Sequence, residues 1–318
     1  MIKRKWELAL LLSIACGCTG ESIVGTTVDP NAPPAPSDGL QVSLGHFNVP
    51  PGTEVQLCRT MKLPNSDPLF INRIEILHEM EGLHHAAIFR SSQSYDDQIF
   101  PCWETLSPDW TMVARTNWAG NFDWSFPNAV FEFDPHQQIL ILAHFVNATT
   151  VQAPKGGQVY FNLHETSDGS LPVAHAMMVS NTRISIAPHS AYTINENCTF
   201  DQSVYVIGLV GQFNARGIEL SAARLDASQQ IGEQIYDDLN WDSPPYADLL
   251  GDSVHGLLIP AGEGLALTCK YFNNTNQDIG WGIHADTQEQ CDLLVYYTNV
   301  DPDVSTPLAC QASQGGGW

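Results

Sequence analysis

The sequence predicts an all-β protein made of two sandwich or jelly-roll domains. Helical periodicity is scarce, whereas short alternating or apolar runs recur between Gly, Pro, Asn and Asp residues, as is typical of strands joined by turns. The clearest runs are DPLFINRIEIL, QQILILAHFV, GGQVYFNLH, SVYVIGLVG, GIELSAARL, GLALTCKYF and CDLLVYYTN. A length of 318 residues with 43% hydrophobic content suits two globular domains, each large enough to bury its own core.

The N-terminal segment MIKRKWELALLLSIACGCTGES has the features of an export signal over residues 1–20. Basic residues at positions 3–5 precede an apolar run that is too short to span a membrane, and cysteine then follows among small residues. Cys16 is the candidate lipidated residue of a bacterial lipoprotein, Cys18 is the alternative, and a plain signal cleaved nearby also fits. We therefore expect an exported bacterial protein, either a periplasmic or outer-membrane lipoprotein or a secreted protein.

Composition shifts divide the rest of the chain. Residues 21–39 are polar and Pro-rich, which predicts a linker between the signal and the folded part. The turn-rich segment ETSDGSLPVAH ends one set of predicted strands and is the best domain boundary. The first domain is expected over 40–172 and the second over 173–311, followed by a tail at 312–318.

The chain is strongly acidic, with 35 Asp and Glu against 13 Lys and Arg and a net charge of −22. Such a surface argues against nucleic acid or anionic lipid as partners, so we expect membrane attachment only through a lipid anchor. The same charge keeps an exported protein soluble and indicates no particular substrate.

Six cysteines follow the signal, at positions 58, 102, 198, 269, 291 and 310. An even number in an exported chain implies disulfides, and six cysteines allow 15 connectivities that spacing alone does not rank. No CxxC spacing indicates a zinc or redox site, and the sequence has no GxSxG, HExxH, Walker or dinucleotide motif.

The stretch GLHHAAIFR places His84 and His85 side by side, although neighbouring residues of a strand point to opposite faces. Both rings can reach one metal if the backbone twists at the strand end, and His144 in the run QQILILAHFVNAT offers a third ligand from another strand. Three imidazoles, no nearby cysteine and an oxidising compartment favour copper, with zinc as the alternative. The competing interpretation is three structural histidines without metal.

The chain resembles the copper type II, ascorbate-dependent monooxygenases, which include peptidylglycine α-hydroxylating monooxygenase and dopamine β-monooxygenase. In the first domain the similar motifs are QLCRTMKLP, GLHHAAIFR and LAHFVNAT. In the second they are IYDDLNWDSPP, IPAGEGLALTCKYFNNT and EQCDLLVYY, in the same order and at similar spacing. The resemblance covers nearly the whole mature chain.

The resemblance implies two jelly-roll domains that face an interdomain cleft, with one copper on each and ascorbate or another reductant if the protein is active. It assigns His84, His85 and His144 to the first copper, which stores and delivers an electron. We also expect a monomer, with the interdomain cleft as the candidate place for a small-molecule or peptide ligand. The implied disulfides are Cys58–Cys102, Cys198–Cys310 and Cys269–Cys291.

The second copper site of that family is not retained. Its His-x-His pair aligns with Gln212 and Asn214 in GLVGQFNARG, and its methionine aligns with Gln290. Neutral amide oxygens suit calcium or magnesium better than copper, so we expect one copper site and a pseudoenzyme. His284 is the candidate extra ligand near Gln290. An active oxidoreductase with a remodelled second site and a scaffold without metal are the alternatives.

Overall fold

The computed structural model describes residues 32–78, 82–102, 109–116, 121–149, 155–250, 255–304 and 307–312. Within these ranges the chain consists of β-strands and connecting turns with no helix, which confirms the all-β prediction. It follows that the described part contains no helix able to cross a membrane. The signal at 1–20 with Cys16, the linker up to residue 31 and the tail from residue 313 lie outside the described residues.

The first half of the chain forms two antiparallel sheets of five strands and one of two strands. The strands described there are β1 (Gly39–Ser43), β2 (Phe47–Val49), β3 (Thr53–Lys62), β4 (Leu69–His78), β5 (Leu83–Ser91), β6 (Gln98–Pro101), β7 (Trp110–Thr116), β8 (Phe122–Ser125), β9 (Phe131–Phe133), β10 (Gln138–Asn147), β11 (Lys155–Gly157) and β12 (Val159–Glu165).

One of these sheets has the order β1-β12-β4-β8, with β9 also paired to β4, and the other has the order β6-β3-β10-β5-β7. Strand β10 is at the centre of the second sheet and is buried on both faces. Ile141 and Phe145 lie in the main core of the half, while Leu140 and Leu142 lie in a separate cluster on the opposite face. The run ILILAHFV is apolar apart from His144 because both faces of this strand are covered.

The second half repeats this arrangement with two antiparallel sheets of five strands and one of two strands. Its described strands are β13 (Ala174–Ser180), β14 (Ser185–Ile186), β15 (Ser190–Phe200), β16 (Val204–Gln212), β17 (Gly217–Leu225), β18 (Ile231–Asp238), β19 (Tyr246–Asp248), β20 (Leu257–Ile259), β21 (Gly264–Asn273), β22 (Ile279–Gly280), β23 (Asp292–Asn299) and β24 (Cys310–Ala312). One large sheet has the order β13-β23-β16-β19, with β20 beside β16, and the other has the order β18-β17-β21-β15-β24.

The sheets divide the chain near the predicted boundary, but the cores do not. Among the described strands no sheet contains members from both sides of 166–173. Tyr296 of β23 is nevertheless fully buried against the first half, with its ring centroid 4.8 Å from that of Trp124 and 5.6 Å from that of Phe126. Residues 35–318 accordingly form one compact unit.

Three disulfides join Cys58 to Cys102, Cys198 to Cys310 and Cys269 to Cys291. These are the pairs that the family resemblance implies. Each lies within one half, and the last one links the end of the loop before β23 to β21. Disulfides of this kind persist in oxidising compartments, so they indicate an extracellular or periplasmic protein.

A cleft of about 880 Å³ lies between the two halves. Its walls include Arg90 and Glu132 from the first half and His175, Tyr205 and His255 from the second half. His255 stacks on Tyr205 at this cleft, with ring centroids 5.1 Å apart. The adjacent histidines of β5 do not line it, because they lie at the other end of that strand.

Candidate metal centre

A β-bulge explains how two consecutive histidines reach the same face of a strand. His85 pairs directly with His144, but the next pair is Leu83 with Phe145, so His84 is an extra residue on β5. Leu83 and Ala86 both point into the core, and the two histidines between them point to the other face. An extra residue in one strand redirects its side chains, which is the known effect of a bulge.

The bulge brings three imidazoles together. Candidate ligand atoms of His84, His85 and His144 all lie within 4.8 Å of one another, and the three ring centroids are 5.0–5.2 Å apart. The Nδ1 atoms of His84 and His85 are 3.0 Å apart. Two nitrogens that each bind one metal at about 2.0–2.1 Å are separated by roughly 3 Å, so this group could bind a metal ion. The sequence prediction that these histidines converge is confirmed.

The cluster is shielded from water, and two of its three rings have lowered pKa values. His144 is fully buried, His85 is 4% exposed and His84 is half-buried. Burial, followed by the nearby His144 and Arg115, lowers the pKa of His84 to about 3. Burial also places the pKa of His85 well below its ordinary value. A neutral imidazole is the form that binds metal, so the folded state prepares these side chains as ligands.

A buried arginine lies on the same sheet face as the histidines. Arg115 pairs with Ala87, two residues after His85, and burial lowers its pKa to about 10 while Asp292 of the second half partly restores it. Its backbone N–H donates a hydrogen bond to the hydroxyl of Tyr296 across the interface, at 3.3 Å. The electrostatic environment of the histidines is therefore set by residues of both halves.

His284 and two side chains that the sequence did not single out, Glu54 and Trp241, complete the surroundings of the cluster. Glu54 on β3 accepts a hydrogen bond from His144, with 3.0 Å between its Oε2 and Nε2 of the ring. The same oxygen lies 3.3 Å from Nδ1 of His284, and Trp241 packs beside His84 with ring centroids 6.1 Å apart. Hydrogen bonds from His144 and His284 hold the pKa of Glu54 below its ordinary value, although burial opposes them.

The structure thus places His284 against the first-half cluster through Glu54. Glu54 belongs to no motif in the sequence. It becomes visible only from the sheet register, because it pairs with Val146, two residues from His144, and so lies diagonally across from that histidine on the same face.

The three amides predicted to replace the second copper ligands lie together in the interior. Gln212 and Gln290 are 4% and 5% exposed, and Nε2 of Gln212 donates a hydrogen bond to Oε1 of Gln290 at 2.5 Å. Asn214 is fully buried, and its Nδ2 donates to the backbone carbonyl of Gln288 at 3.1 Å. The amides bind one another and the backbone.

Two acceptors in this amide group have no hydrogen-bond partner: Oε1 of Gln212 and Oδ1 of Asn214. The adjacent Glu289 is fully buried and accepts the backbone N–H groups of Asn214 and Arg216, at 2.8 and 2.6 Å. Burial raises the pKa of Glu289 to about 7, and these hydrogen bonds oppose the rise. The neutral amide oxygens of Gln212 and Asn214 suit hydrogen-bond donors or hard cations rather than copper.

Comparisons with known proteins assign no family to the chain. No protein-family model matches it, and no curated protein sequence matches it. Among solved structures, peptide N-glycanase F is similar with a TM-score of 0.35, 10% identity and coverage of 85% of this chain and 99% of that one. PBCV-1 VP54 is similar with a TM-score of 0.27, 6% identity and coverage of 89% of this chain and 100% of that one. A structure of infectious bursal disease virus strain Gx is similar with a TM-score of 0.19, 11% identity and coverage of 85% of this chain and 74% of that one. TM-scores this low support no conclusion about function.

The bulge depends on Gly82, which has a φ of 103° and faces the carbonyl oxygen of Val146. Gly82→Ala should reduce the free energy of unfolding by about 2–4 kcal/mol, because the new Cβ meets both a disfavoured φ and that carbonyl. Gly52→Ala is the matched control, since Gly52 has a φ of 68° and nothing within 4 Å of an added Cβ. The control should lose only about 1–2 kcal/mol in denaturant unfolding. Equal losses would contradict this view of the bulge.

The depressed pKa values predict acid sensitivity of the metal-free protein. Unfolded His84 binds a proton near its ordinary pKa of 6.5, whereas the folded side chain does so only near about 3. The contribution of His84 to the free energy of unfolding should therefore be largest above pH 7 and should fall as the pH is lowered from 6.5 towards 3. Urea unfolding should be measured across this pH range in the presence of a chelator. In His84→Asn the free energy of unfolding should fall less steeply with decreasing pH, by a slope that corresponds to about one bound proton. In His189→Asn the slope should not change.

Proposed function

We propose that this protein is an exported copper-binding protein in which His84, His85 and His144 hold one copper ion. The observation that carries the proposal is the convergence of three imidazoles at a bulge, with the Nδ1 atoms of His84 and His85 at ligand separation. Copper and zinc both accept imidazole, and the oxidising compartment indicated by the disulfides favours copper. Bound copper would supply one-electron redox chemistry.

The chain's own residues support a single copper. The position that corresponds to the second copper in the resembling family is filled by Gln212, Asn214 and Gln290, of which the first and third bind each other. Copper that cycles between oxidation states favours imidazole and thioether ligands, which these amides do not provide. We therefore propose that family-type hydroxylation with ascorbate is lost and that the protein is a pseudoenzyme.

The cleft between the halves is the proposed place for a small-molecule or peptide ligand. Asp109, Glu132 and Asp134 line it together with Arg90, so the acidic side chains outnumber the single basic one among these four. This charge favours a ligand with a cationic group. The net charge of −22 supports the absence of nucleic acid partners. The proposed form is a monomer, anchored through Cys16 if that residue is lipidated.

Metal stoichiometry of protein purified from the periplasm or the medium tests the proposal. We expect about one copper per chain by elemental analysis, and little or none in His84→Ala and His144→Ala, because each variant removes one of only three ligands. His164→Ala is the matched control, since this half-buried histidine of the first half lies outside the cluster and binds Glu75. Two tightly bound coppers, or full loading of both cluster variants, would contradict a single three-histidine site.

A further inference from the structure

One carboxylate connects the histidine cluster to the second half of the protein. Oε2 of Glu54 lies 3.0 Å from Nε2 of His144 and 3.3 Å from Nδ1 of His284. The Glu54 side chain is 19% exposed and the His284 side chain is 46% exposed, whereas His144 is fully buried. Glu54 and His284 therefore lie between His144 and the solvent. His144 belongs to β10 and His284 to the loop between β22 and β23, so this contact crosses between the halves.

The contact has the form that supports metal-binding histidines elsewhere. A metal-bound imidazole commonly donates its other ring N–H to a carboxylate, which fixes its tautomer and orientation and raises its basicity. Because Nε2 of His144 meets Glu54, the metal would be bound through Nδ1. We propose that Glu54 is the positioning residue for His144 and that His284 of the second half holds Glu54 in place. Metal affinity in the first half then depends on the second half.

The loop that carries His284 is held by hydrogen bonds within the loop and by a disulfide at its C-terminal end. The carbonyl of His284 accepts the N–H groups of Thr287 and Gln288, at 3.2 and 2.9 Å, and its own N–H donates to the Gln288 side chain at 3.1 Å. Further along the loop, Glu289 accepts two backbone N–H groups that follow β16, and Cys291 is bonded to Cys269. His284 is therefore presented to Glu54 by an ordered turn.

A second contact from the same half covers the cluster. Trp241 lies beside His84 with an angle of 37° between the rings. Trp241 and His284 come from different loops, so the second half meets the histidine cluster at two separate points. These two contacts couple the surroundings of the histidine cluster to the second half of the protein.

The inference rests on the proposed function, and copper affinity measured by chelator competition tests both. Glu54→Gln should weaken Cu²⁺ binding by about 10- to 100-fold, because the ring of His144 loses its charged acceptor. His284→Ala should cause a smaller loss, on the order of a few-fold, since Glu54 keeps its bond to His144. Pulsed EPR should show an altered quadrupole coupling of one remote imidazole nitrogen in Glu54→Gln, a signal that responds to the hydrogen bond at that atom.

Matched controls separate positioning from general stability. Glu75→Gln removes the carboxylate of another glutamate–histidine pair, 2.8 Å from Nε2 of His164, and His189→Asn replaces a different exposed histidine of the second half. Both should bind copper as the unmodified protein does. Unchanged affinity and EPR spectrum in Glu54→Gln would overturn the inference, as would an equal loss in Glu75→Gln. If the unmodified protein bound no copper at His144, the proposed function itself would fail.

Discussion

The histidine cluster depends on the single extra residue in β5. Without the bulge, side chains would alternate strictly between the two faces of the strand. His84 would then point to the face opposite His85, which is the face of the apolar core. A polar ring buried there without a partner would destabilise the fold by about 1–3 kcal/mol. With the bulge, both rings turn to the face that carries His144, and the core on the other side keeps its continuous packing of Leu83, Ala86 and Phe145.

The interface between the halves gives the cluster its surroundings. Tyr296 packs in the core of the first half, and its hydroxyl accepts a hydrogen bond from the backbone N–H of Arg115. Asp292 on the same strand interacts electrostatically with that arginine. Arg115 in turn disfavours protonation of His84 and His85. Burial and a neighbouring cation act in the same direction, which explains why the rings stay neutral in the folded protein.

The fold class could be predicted from the sequence because alternating runs and turn residues are local signals. The convergence of three histidines was also predicted, on the condition that the backbone twists at the strand end. The bulge that produces it was not predicted, since a bulge is a property of pairing between strands that are distant in sequence. Glu54 and Trp241 were missed for the same reason. Glu54 has no motif, and only the register of β3 with β10 places it beside His144.

The sequence also predicted that Gln212 and Gln290 replace metal ligands, and the structure adds that they hydrogen bond to each other. It did not predict that the two halves share a core, because Tyr296 alternates along β23 like any buried residue of a sandwich. His284 shows the same limit. Its loop sequence indicates a turn, whereas its contact with Glu54 depends on how the two halves pack.

X-ray absorption spectroscopy of the copper-loaded protein tests the three-imidazole centre most directly, because it reports the atoms bound to the metal. We expect three nitrogen neighbours at about 2 Å with the outer-shell scattering of imidazole rings and no sulfur. His85→Ala should lower the imidazole count. A sulfur neighbour, or a spectrum that does not change when His85 is replaced, would contradict a copper site built on the bulge of β5.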